Sequence, residues 1–409
     1  MSYDADVIIV GGGLGGLSAA ISAAKKGLSA IVLERGEYSG AKNVSGGRMY
    51  VHALLKLIPD ALERAPLERP ITRETFEVYC EKGRKVIFSY ENKNKKESYS
   101  VLRAKFDQWL AKEAENLGAL ISYSTQVVYV KREDNFFLIS TNRGDLKSPL
   151  IIDAGGVTAP VSRSLGLRNL SPENFMIGVK EVINIKPEIP EDEGEAKAIL
   201  GLLDGLKGGV FYYTNKDTIS IGYTAKVESL QKSEKPAYEI IEDVREKLGL
   251  NGEILEYSAH LIPYYGYEKA PRLWDKGLMI VGDAAGLLIN DGFTIRGMDL
   301  AITSGMVAGE VAAELKNIND YTKTYIYEER LKETPAYQDF INAKNAFKVL
   351  NSERLFIKYP KILCDSLEEL FSVSGIAPRR RPIKVLIEKM KENQVNSSEL
   401  IIDAWRFVT

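Results

Sequence analysis

The chain has 409 residues, of which 45% are hydrophobic and 27% are charged, and its net charge at pH 7 is −2. A chain of this length can bury a large core, so we expect roughly two or three domains. The composition is that of an ordinary globular protein, and the near-neutral charge argues against a nucleic-acid partner.

The sequence shows neither a secretory signal nor a membrane span. The first six residues are acidic and lead directly into an apolar strand, whereas a secretory signal has a basic start and a cleavable apolar core. No run reaches the ~18 uninterrupted apolar residues of a membrane helix. We therefore expect a cytoplasmic protein, and peripheral contact with the inner face of the cell membrane stays open.

Cysteine and histidine are scarce. The chain has two cysteines, Cys80 and Cys364, and two histidines, His52 and His260. The cysteines lie far apart and in no pair motif, so the chain alone cannot ligate a four-cysteine iron–sulfur cluster. Neither histidine belongs to a ligand-spaced group, so we interpret both as structural and predict no bound metal.

The predicted elements begin with a βαβ unit. Residues 6–10 form an apolar strand, residues 17–26 an alanine-rich helix that ends at Gly27, and residues 30–33 a second strand. This order predicts parallel pairing of the two strands. In residues 75–90 apolar side chains alternate on both sides of a glycine-containing turn, which predicts an antiparallel hairpin foreign to a nucleotide-binding fold.

Later elements divide between these two patterns. We predict helices at 106–117, 240–248 and 298–315, and strands at 119–122, 126–130, 150–154, 209–214, 218–223 and 278–281. We predict a discontinuous nucleotide-binding domain that comprises residues 1–74, 99–165 and 258–345. An inserted, mainly antiparallel sheet domain comprises residues 75–98 and 166–257. A helical C-terminal segment comprises residues 346–409.

The turn after the first strand has the spacing G-x-G-x-x-G, with Gly11, Gly13 and Gly16. These glycines permit a tight turn, close approach to a pyrophosphate and close helix–strand packing, and Leu14 and Gly15 share the same turn. Glu34 ends the second strand, where an acid can accept hydrogen bonds from ribose hydroxyls, and Arg35 and Gly36 follow it. With strand, helix and acid in place, the segment predicts dinucleotide binding.

A second nucleotide-contacting segment distinguishes FAD from NAD. Gly282 and Asp283 follow the apolar strand at 278–281, and an aspartate at a strand tip can bind a ribityl hydroxyl. Taken alone, Asp283 could equally be a helix N-cap. Together with the glycine turn it predicts an FAD held at both ends, in an α/β (overall α+β) fold of the glutathione-reductase-like Rossmann type.

Four segments carry a family resemblance: 42–50, 98–103 with 106–107, 256–260 and 292–299. They resemble motifs of the FixC-type flavoproteins, a group similar to the electron-transfer-flavoprotein:quinone oxidoreductases and, more distantly, to the geranylgeranyl reductases. The resemblance extends over nearly the whole chain.

The resemblance implies further cofactor contacts. It places Arg103 and Val127 at the cofactor, with Arg103 near the ribityl and phosphate groups. Arg48 and Arg296 are candidates for tuning the flavin potential, although a surface ion pair is the alternative for Arg296. The segment beside the flavin ring comprises Asn43, Val44, Ser45, Gly46, Gly47 and Arg48, and the loop at the pyrimidine edge comprises Gly292, Thr294, Ile295 and Arg296.

Two departures from the family pattern concern the cofactor and an iron–sulfur cluster. Relatives often carry an aspartate after the third nucleotide-domain strand, where this chain has Ala154 followed by Gly155, and Asp153 lies two residues earlier. The sequence leaves open whether Asp153 compensates. The chain also lacks the cysteine-rich C-terminal domain of the long quinone oxidoreductases, so it matches the short branch, whose cluster is on a separate ferredoxin-like subunit.

The resemblance implies FAD-dependent electron transfer from an electron-transfer flavoprotein or ferredoxin-like protein to a quinone, as a FixC-like subunit of a Fix/Etf complex. Because the reaction centres on the flavin, we predict no catalytic side chain. The aromatic segments 208–213 and 261–266 are candidates for the quinone pocket, or else core. Alternatives are a geranylgeranyl reductase, a flavin hydroxylase and a degenerate flavin-binding scaffold. The basic cluster at 379–381 is a solvated loop or a contact with a partner or lipid.

Overall fold

The structure is a computed structural model that describes residues 3–42, 47–292, 294–376 and 378–408. It has the mixed α/β architecture predicted from the sequence, with several sheets and a helical C-terminal segment. Two large sheets each contribute residues to the candidate site.

The first sheet is parallel except at one edge, where a short strand pairs antiparallel. Its four central strands are short and almost entirely buried, as expected of a parallel sheet covered by helices on both faces. In spatial order they are Trp274–Asp275, Leu278–Ile280, Leu150–Asp153, Val7–Val10, Ala30–Leu33 and Leu120–Ser122. The predicted parallel pairing of residues 7–10 with residues 30–33 is therefore confirmed.

Two helices pack closely beside this sheet, Leu14–Lys25 and Met298–Asn317. Glycines in the second helix allow this approach. A Cβ atom at Gly305 would lie 2.0 Å from the carbonyl oxygen of Gly15, and a Cβ atom at Gly309 would lie 2.5 Å from that of Ala19. The helix Arg103–Asn116 contacts the first of the two as well.

The second sheet is largely antiparallel. In spatial order its strands are Ile254–Pro263, Phe175–Ile183, Ile219–Lys226, Gly208–Thr214, Glu195–Leu200, Arg73–Tyr79 and Lys85–Glu91. The helix Ala237–Lys247 covers one face with Ile240, Ile241 and Val244, which share a core with Val179 of the sheet. The predicted hairpin forms its outer edge.

Residues 258–263 belong to this antiparallel sheet because the strand Ile254–Pro263 pairs with Phe175–Ile183 along its whole length. The sequence analysis ended the sheet domain at residue 257. Its division of the chain into domains stays a prediction, and the hydrogen-bond ladder shows that this sheet extends past that boundary.

Smaller elements complete the fold. One three-stranded sheet contains the strands Gly47–Tyr50, Ser98–Val101 and Leu67–Pro70. Another contains the strands Val127–Arg132, Phe137–Thr141 and Gly144–Ser148. A short two-stranded ribbon pairs Ile289–Asn290 with Ile295–Arg296. The short helices are His52–Leu57, Ala61–Arg64, Pro160–Ser164 and Val227–Leu230. The C-terminal helices are Tyr325–Lys332, Pro335–Asn342, Lys344–Leu350, Tyr359–Phe371, Pro382–Glu392 and Ser397–Val408.

A disulfide joins Cys80, at the end of the strand Arg73–Tyr79, to Cys364 in the helix Tyr359–Phe371. The two cysteines are 284 residues apart, so no local pattern in the sequence indicates this bridge. Arg84 forms ion pairs with Asp365 and Glu368 beside the bridge. The C-terminal segment is thus tied to the edge of the antiparallel sheet. Over the ranges that the structure covers, no helix is long and apolar enough to cross a membrane.

Candidate cofactor site

A cavity of about 940 Å³ lies between the parallel and the antiparallel sheet. This volume is within the range of about 300–1,000 Å³ that is common for ligand and cofactor sites. The sequence-predicted residues that line it are Gly11, Gly13, Leu14, Gly15, Glu34, Arg35, Gly47, Arg48, Arg103, Val127, Ala154, Gly155, Gly282, Asp283 and Ile295. Residues far apart in the chain therefore share one cavity.

The glycine turn forms one end of the cavity. Gly11 has a φ of +109°, and a Cβ atom there would lie 2.2 Å from the carbonyl oxygen of Ala154. Gly16 does not line the cavity, because it packs against the turn itself: a Cβ atom there would lie 1.9 Å from the carbonyl oxygen of Gly11. Among the residues described, no side chain caps the helix Leu14–Lys25. Its first N–H groups can therefore bind an anion.

Glu34 holds the turn in place from the neighbouring strand. Its buried carboxylate accepts hydrogen bonds from the backbone N–H groups of Gly12 at 2.7 Å and Gly36 at 2.6 Å. Gly36 does not line the cavity, but it fixes this carboxylate. Each oxygen keeps a second acceptor site, so Glu34 can still accept hydrogen bonds from ribose hydroxyls.

Arg103 lines the cavity from the start of the helix Arg103–Asn116. Its guanidinium donates two hydrogen bonds of 2.7 Å to the two carboxylate oxygens of Asp107, one turn later. Bidentate pairing fixes the orientation of the guanidinium. The side chain is thus held where a phosphate or ribityl oxygen can be bound.

The turn at Gly282 and Asp283 lies on the same cavity, as the sequence predicts, and burial raises the pKa of the Asp283 carboxyl. An unpredicted residue, Arg168, supports this turn. Its guanidinium donates hydrogen bonds to the carbonyl oxygens of Asp283 and Ala284 and to the hydroxyl of Tyr265. Arg168 lies 97 and 115 residues from Tyr265 and Asp283, so no local pattern could have indicated this contact.

The antiparallel sheet provides the opposite wall. Phe211, Tyr213 and Ile262, all in the predicted aromatic segments, line the cavity. Tyr264 instead packs against Phe347 of the C-terminal segment. His260, which the sequence analysis interpreted as structural, lies on the cavity wall. Its position became apparent only from the pairing of the strand Ile254–Pro263.

Arg48 and Arg296, the two candidates for flavin tuning, are paired with carboxylates. Arg48 lines the cavity but binds both carboxylate oxygens of Glu74. Arg296 does not line the cavity, and its guanidinium contacts Asp299 at 2.6 Å and Asp339 at 2.7 Å. The paired carboxylates offset much of the positive charge that these side chains could direct at a flavin.

Of the described residues that the sequence predicts for the loop at the pyrimidine edge, only some line the cavity. Ile295 lines it, whereas Thr294 binds Asp291 through its backbone N–H and its hydroxyl. Gly292 packs against Phe407. The predicted ring contacts Asn43, Val44, Ser45 and Gly46 lie outside the described residues, as does Phe293, so these remain predictions.

Gly155 occurs where relatives often have aspartate, and the local packing accounts for a glycine. A Cβ atom at Gly155 would lie 2.2 Å from Cδ of Pro160. Asp153 does not line the cavity, because its buried carboxylate accepts hydrogen bonds from the Gly155 N–H and from the N–H and hydroxyl of Ser162. Burial also raises the pKa of this carboxyl. Asp153 therefore stabilises the turn and does not replace the missing aspartate.

Taken together, these residues fit FAD. Gly11 and Gly13 line the cavity without side chains and leave room for a pyrophosphate, Glu34 offers acceptors for a ribose, and Asp283 lies along the same cavity. Bound FAD supplies the electron chemistry. Throughout the described ranges, no cluster of histidine, cysteine and acidic side chains could hold a metal ion.

Known proteins resemble this chain over most of its length. A family model described as FAD dependent oxidoreductase matches residues 6–159. The probable electron transfer flavoprotein-quinone oxidoreductase YdiS of Escherichia coli K12 is 36% identical over 403 residues, which cover 93% of each chain. Protein FixC of Bradyrhizobium diazoefficiens is 30% identical over 429 residues, which cover 98% of each chain.

Solved structures share the fold at lower identity. A geranylgeranyl bacteriochlorophyll reductase-like protein of Thermoplasma acidophilum matches with a TM-score of 0.73 and 21% identity, covering 98% of this chain and 99% of its own. Halogenase PltM in complex with phloroglucinol and FAD has a TM-score of 0.64 and 15% identity, covering 98% of this chain and 85% of its own. Both support the predicted FAD-binding Rossmann fold.

The identity to YdiS and FixC extends over nearly full length, and the matched family is defined by FAD. The prediction of FAD as cofactor is confirmed. The chain belongs to the FixC-type family of flavoproteins and is an FAD-dependent electron-transfer oxidoreductase of the electron transfer flavoprotein-quinone oxidoreductase kind.

Proposed function

We propose that this protein takes electrons from an electron-transfer flavoprotein and passes them, through FAD in the cavity between the sheets, to a quinone. The relative YdiS is described as a probable electron transfer flavoprotein-quinone oxidoreductase, a description that names both partners. The observation that carries the proposal is the shape of the cavity, which continues from the glycine turn to an aromatic wall formed by Phe211 and Tyr213. Such a wall suits a flat, largely apolar quinone ring.

The cofactor contacts predicted from the sequence are part of this proposal. The glycine turn, Glu34 and Arg35 bind the ADP half, and Arg103 and Asp283 bind the central phosphate and ribityl region. Gly47, Arg48 and Ile295 lie toward the ring. Gly16 and Gly36 support these contacts through the packing and hydrogen bonds described above.

Tyr213 can donate a hydrogen bond to a quinone oxygen. Burial raises the pKa of its hydroxyl to about 12, so the hydroxyl is protonated near neutral pH. A quinone that accepts two electrons also takes up two protons on its oxygens, and a hydrogen-bond donor at one oxygen stabilises the negative charge that develops there.

The electron route can be tested without oxygen. Reduced electron-transfer flavoprotein should bleach the bound FAD, and a short-chain quinone should restore its absorbance. The double variant Phe211→Ala, Tyr213→Ala should slow the recovery by at least about tenfold while the FAD content stays unchanged. Phe88→Ala is the matched control, because Phe88 is an exposed aromatic residue on the outer strand of the same sheet. Failure of reduced electron-transfer flavoprotein to bleach the FAD would contradict the proposal.

A geranylgeranyl reductase is the second candidate, and the Thermoplasma structure favours it through the shared fold. The same preparation separates the two functions. Chemically reduced protein that saturates an added geranylgeranyl lipid but does not react with a quinone would favour the reductase. Rapid bleaching by NAD(P)H alone would instead indicate a hydroxylase.

We also propose that the protein works beside a ferredoxin-like iron–sulfur subunit, as a FixC-like subunit of a cytoplasmic Fix/Etf complex that touches the inner face of the membrane. The C-terminal segment offers a surface for membrane contact. Phe371, Val373 and Ile376 are 80%, 72% and 93% exposed, and they precede the basic cluster Arg379, Arg380 and Arg381. Exposed apolar residues next to arginines suit an anionic bilayer.

Vesicle sedimentation tests this contact. Protein should sediment with vesicles of anionic phospholipid, and Phe371→Ser with Ile376→Ser should reduce the bound fraction severalfold. Leu120→Ser is the control, because Leu120 is also exposed but lies on the edge strand Leu120–Ser122 of the parallel sheet and not in the C-terminal segment. Equal sedimentation of all variants would exclude this surface.

A further inference from the structure

A buried lysine lies in the antiparallel sheet. Lys180 is in the strand Phe175–Ile183 and is 1% exposed. Within the part of the chain that the structure describes, its Nζ atom makes no hydrogen bond. A buried ammonium without a hydrogen-bond acceptor costs several kcal/mol, so this amine favours the neutral state unless a negative charge lies near it.

Lys180 faces the same side of the sheet as the cavity. Side chains two residues apart in a strand point to the same face, and Gly178, two residues before Lys180, lines the cavity. His260, on the neighbouring strand, pairs in register with Gly178 and also lines the cavity. Since Gly178 has no side chain, the sheet leaves space beside the imidazole. We call Lys180 and His260 the sheet pair.

Charged groups from both walls surround the sheet pair. Arg103 interacts with both members, Glu256 with Lys180, and Arg35 and Asp283 with His260. The remaining charges next to these groups are Asp107, which pairs with Arg103, and Arg168, which acts on Asp283. The sheet pair is therefore coupled to the same arginines that face the cofactor's phosphates.

We propose that the sheet pair takes up protons when FAD binds, so that protonation of the antiparallel sheet is linked to loading of the cofactor. The diphosphate of FAD brings two negative charges into the cavity, and a nearby negative charge favours the charged form of a lysine or histidine. The buried amine of Lys180 and the imidazole of His260 are groups that can respond to this charge. This inference concerns the cofactor alone and does not depend on the electron route.

The pH range in which FAD affinity should change follows from the pKa values of Lys180 and His260 in the protein without FAD. Burial lowers the pKa of Lys180 to about 7, Glu256 opposes the shift and Arg103 adds to it. Burial also lowers the pKa of His260, opposed by Asp283 and reinforced by Arg103 and Arg35. If FAD binding raises the pKa of a group, protonation of that group strengthens FAD binding. The contribution is complete below the pKa of the group in the free protein, and it is lost as the pH rises to the pKa of the group in the complex. FAD affinity should therefore fall above about pH 7, with Lys180 responsible.

Calorimetric titration of the apoprotein with FAD tests the proposal directly. In buffers of different ionisation enthalpy at pH 7.5, the wild-type protein should take up a measurable fraction of a proton per FAD. Between pH 7 and 8.5, Kd should rise by at least about threefold per pH unit, the limit being tenfold for one full proton. Lys180→Met should remove both effects in this range.

Two further variants complete the experiment. His260→Gln should leave the dependence above pH 7 intact and weaken it below pH 7. Lys226→Met is the matched control: burial lowers the pKa of Lys226 too, but this amine contacts Asn351 and Tyr264 away from the cofactor cavity. Proton uptake that is absent in wild type, or equal in wild type and in both sheet-pair variants, would overturn the proposal.

Discussion

The two walls of the cavity are built in different ways. The wall that belongs to the parallel sheet presents backbone, with glycines whose Cβ atoms would strike carbonyl oxygens and a glutamate that binds backbone N–H groups. The wall that belongs to the antiparallel sheet presents side chains, including Phe211, Tyr213 and His260. A backbone wall fixes which cofactor fits, whereas a side-chain wall adjusts what the bound cofactor does.

The largest effect should come from a Cβ atom in the backbone wall. Gly11→Ala should abolish FAD binding and lower the free energy of unfolding by about 3 kcal/mol or more, because the new atom meets a carbonyl oxygen and φ is strained. Gly144→Ala is the control, since Gly144 has a φ of +122° but nothing within 4 Å. Equal losses in both variants would mean that strain, not close approach, matters at Gly11.

Replacing Glu34, the acidic residue of the backbone wall, should have the next largest effect on FAD binding. Glu34→Ala should weaken FAD binding by about 1–3 kcal/mol, because it removes the ribose acceptors and leaves two N–H groups without a partner. Fluorescence titration of the apoprotein measures this loss. Glu34→Gln, which keeps one carbonyl oxygen, should lose less, and unchanged affinity in Glu34→Ala would contradict the assigned role.

Arg168 links the turn at Asp283 to the hydroxyl of Tyr265, and its replacement should have an intermediate effect on FAD binding. Arg168→Met should weaken FAD binding by roughly tenfold, because the turn loses hydrogen bonds from a charged donor. Arg132→Met provides a comparison, since Arg132 pairs with Asp275 and does not line the cavity. Loss of FAD affinity in both variants would point to a general effect on stability.

The smallest effect should be at Arg296. Because Asp299 and Asp339 already pair with its guanidinium, Arg296→Met should lower the flavin midpoint potential by roughly 30 mV or less, about 1.4 kcal/mol for a two-electron couple. Asp339→Asn should raise the potential by releasing part of the charge. A larger drop in Arg296→Met, measured by potentiometric titration, would show that the ion pairs do not screen this arginine.

The same contrast between the walls explains what the sequence could predict. Local spacing indicates the βαβ unit, the glycine turn and the acid at Glu34. The sequence could therefore predict that the turn and Glu34 line one cavity. Arg168, His260 and Lys180 act through pairing between distant strands and turns, which no local pattern records. The bridge between Cys80 and Cys364 and the pairing of Arg296 with Asp339 are further contacts of this kind.

The central claim is that one FAD molecule is bound at both of its ends between these walls. Titration of the apoprotein with FAD, ADP and FMN tests it most directly. We expect one FAD per chain and an affinity for ADP and for FMN that is each weaker by about a hundredfold or more, since each half supplies only part of the binding free energy. Binding of ADP as tightly as FAD, or no binding of FAD at all, would contradict the account.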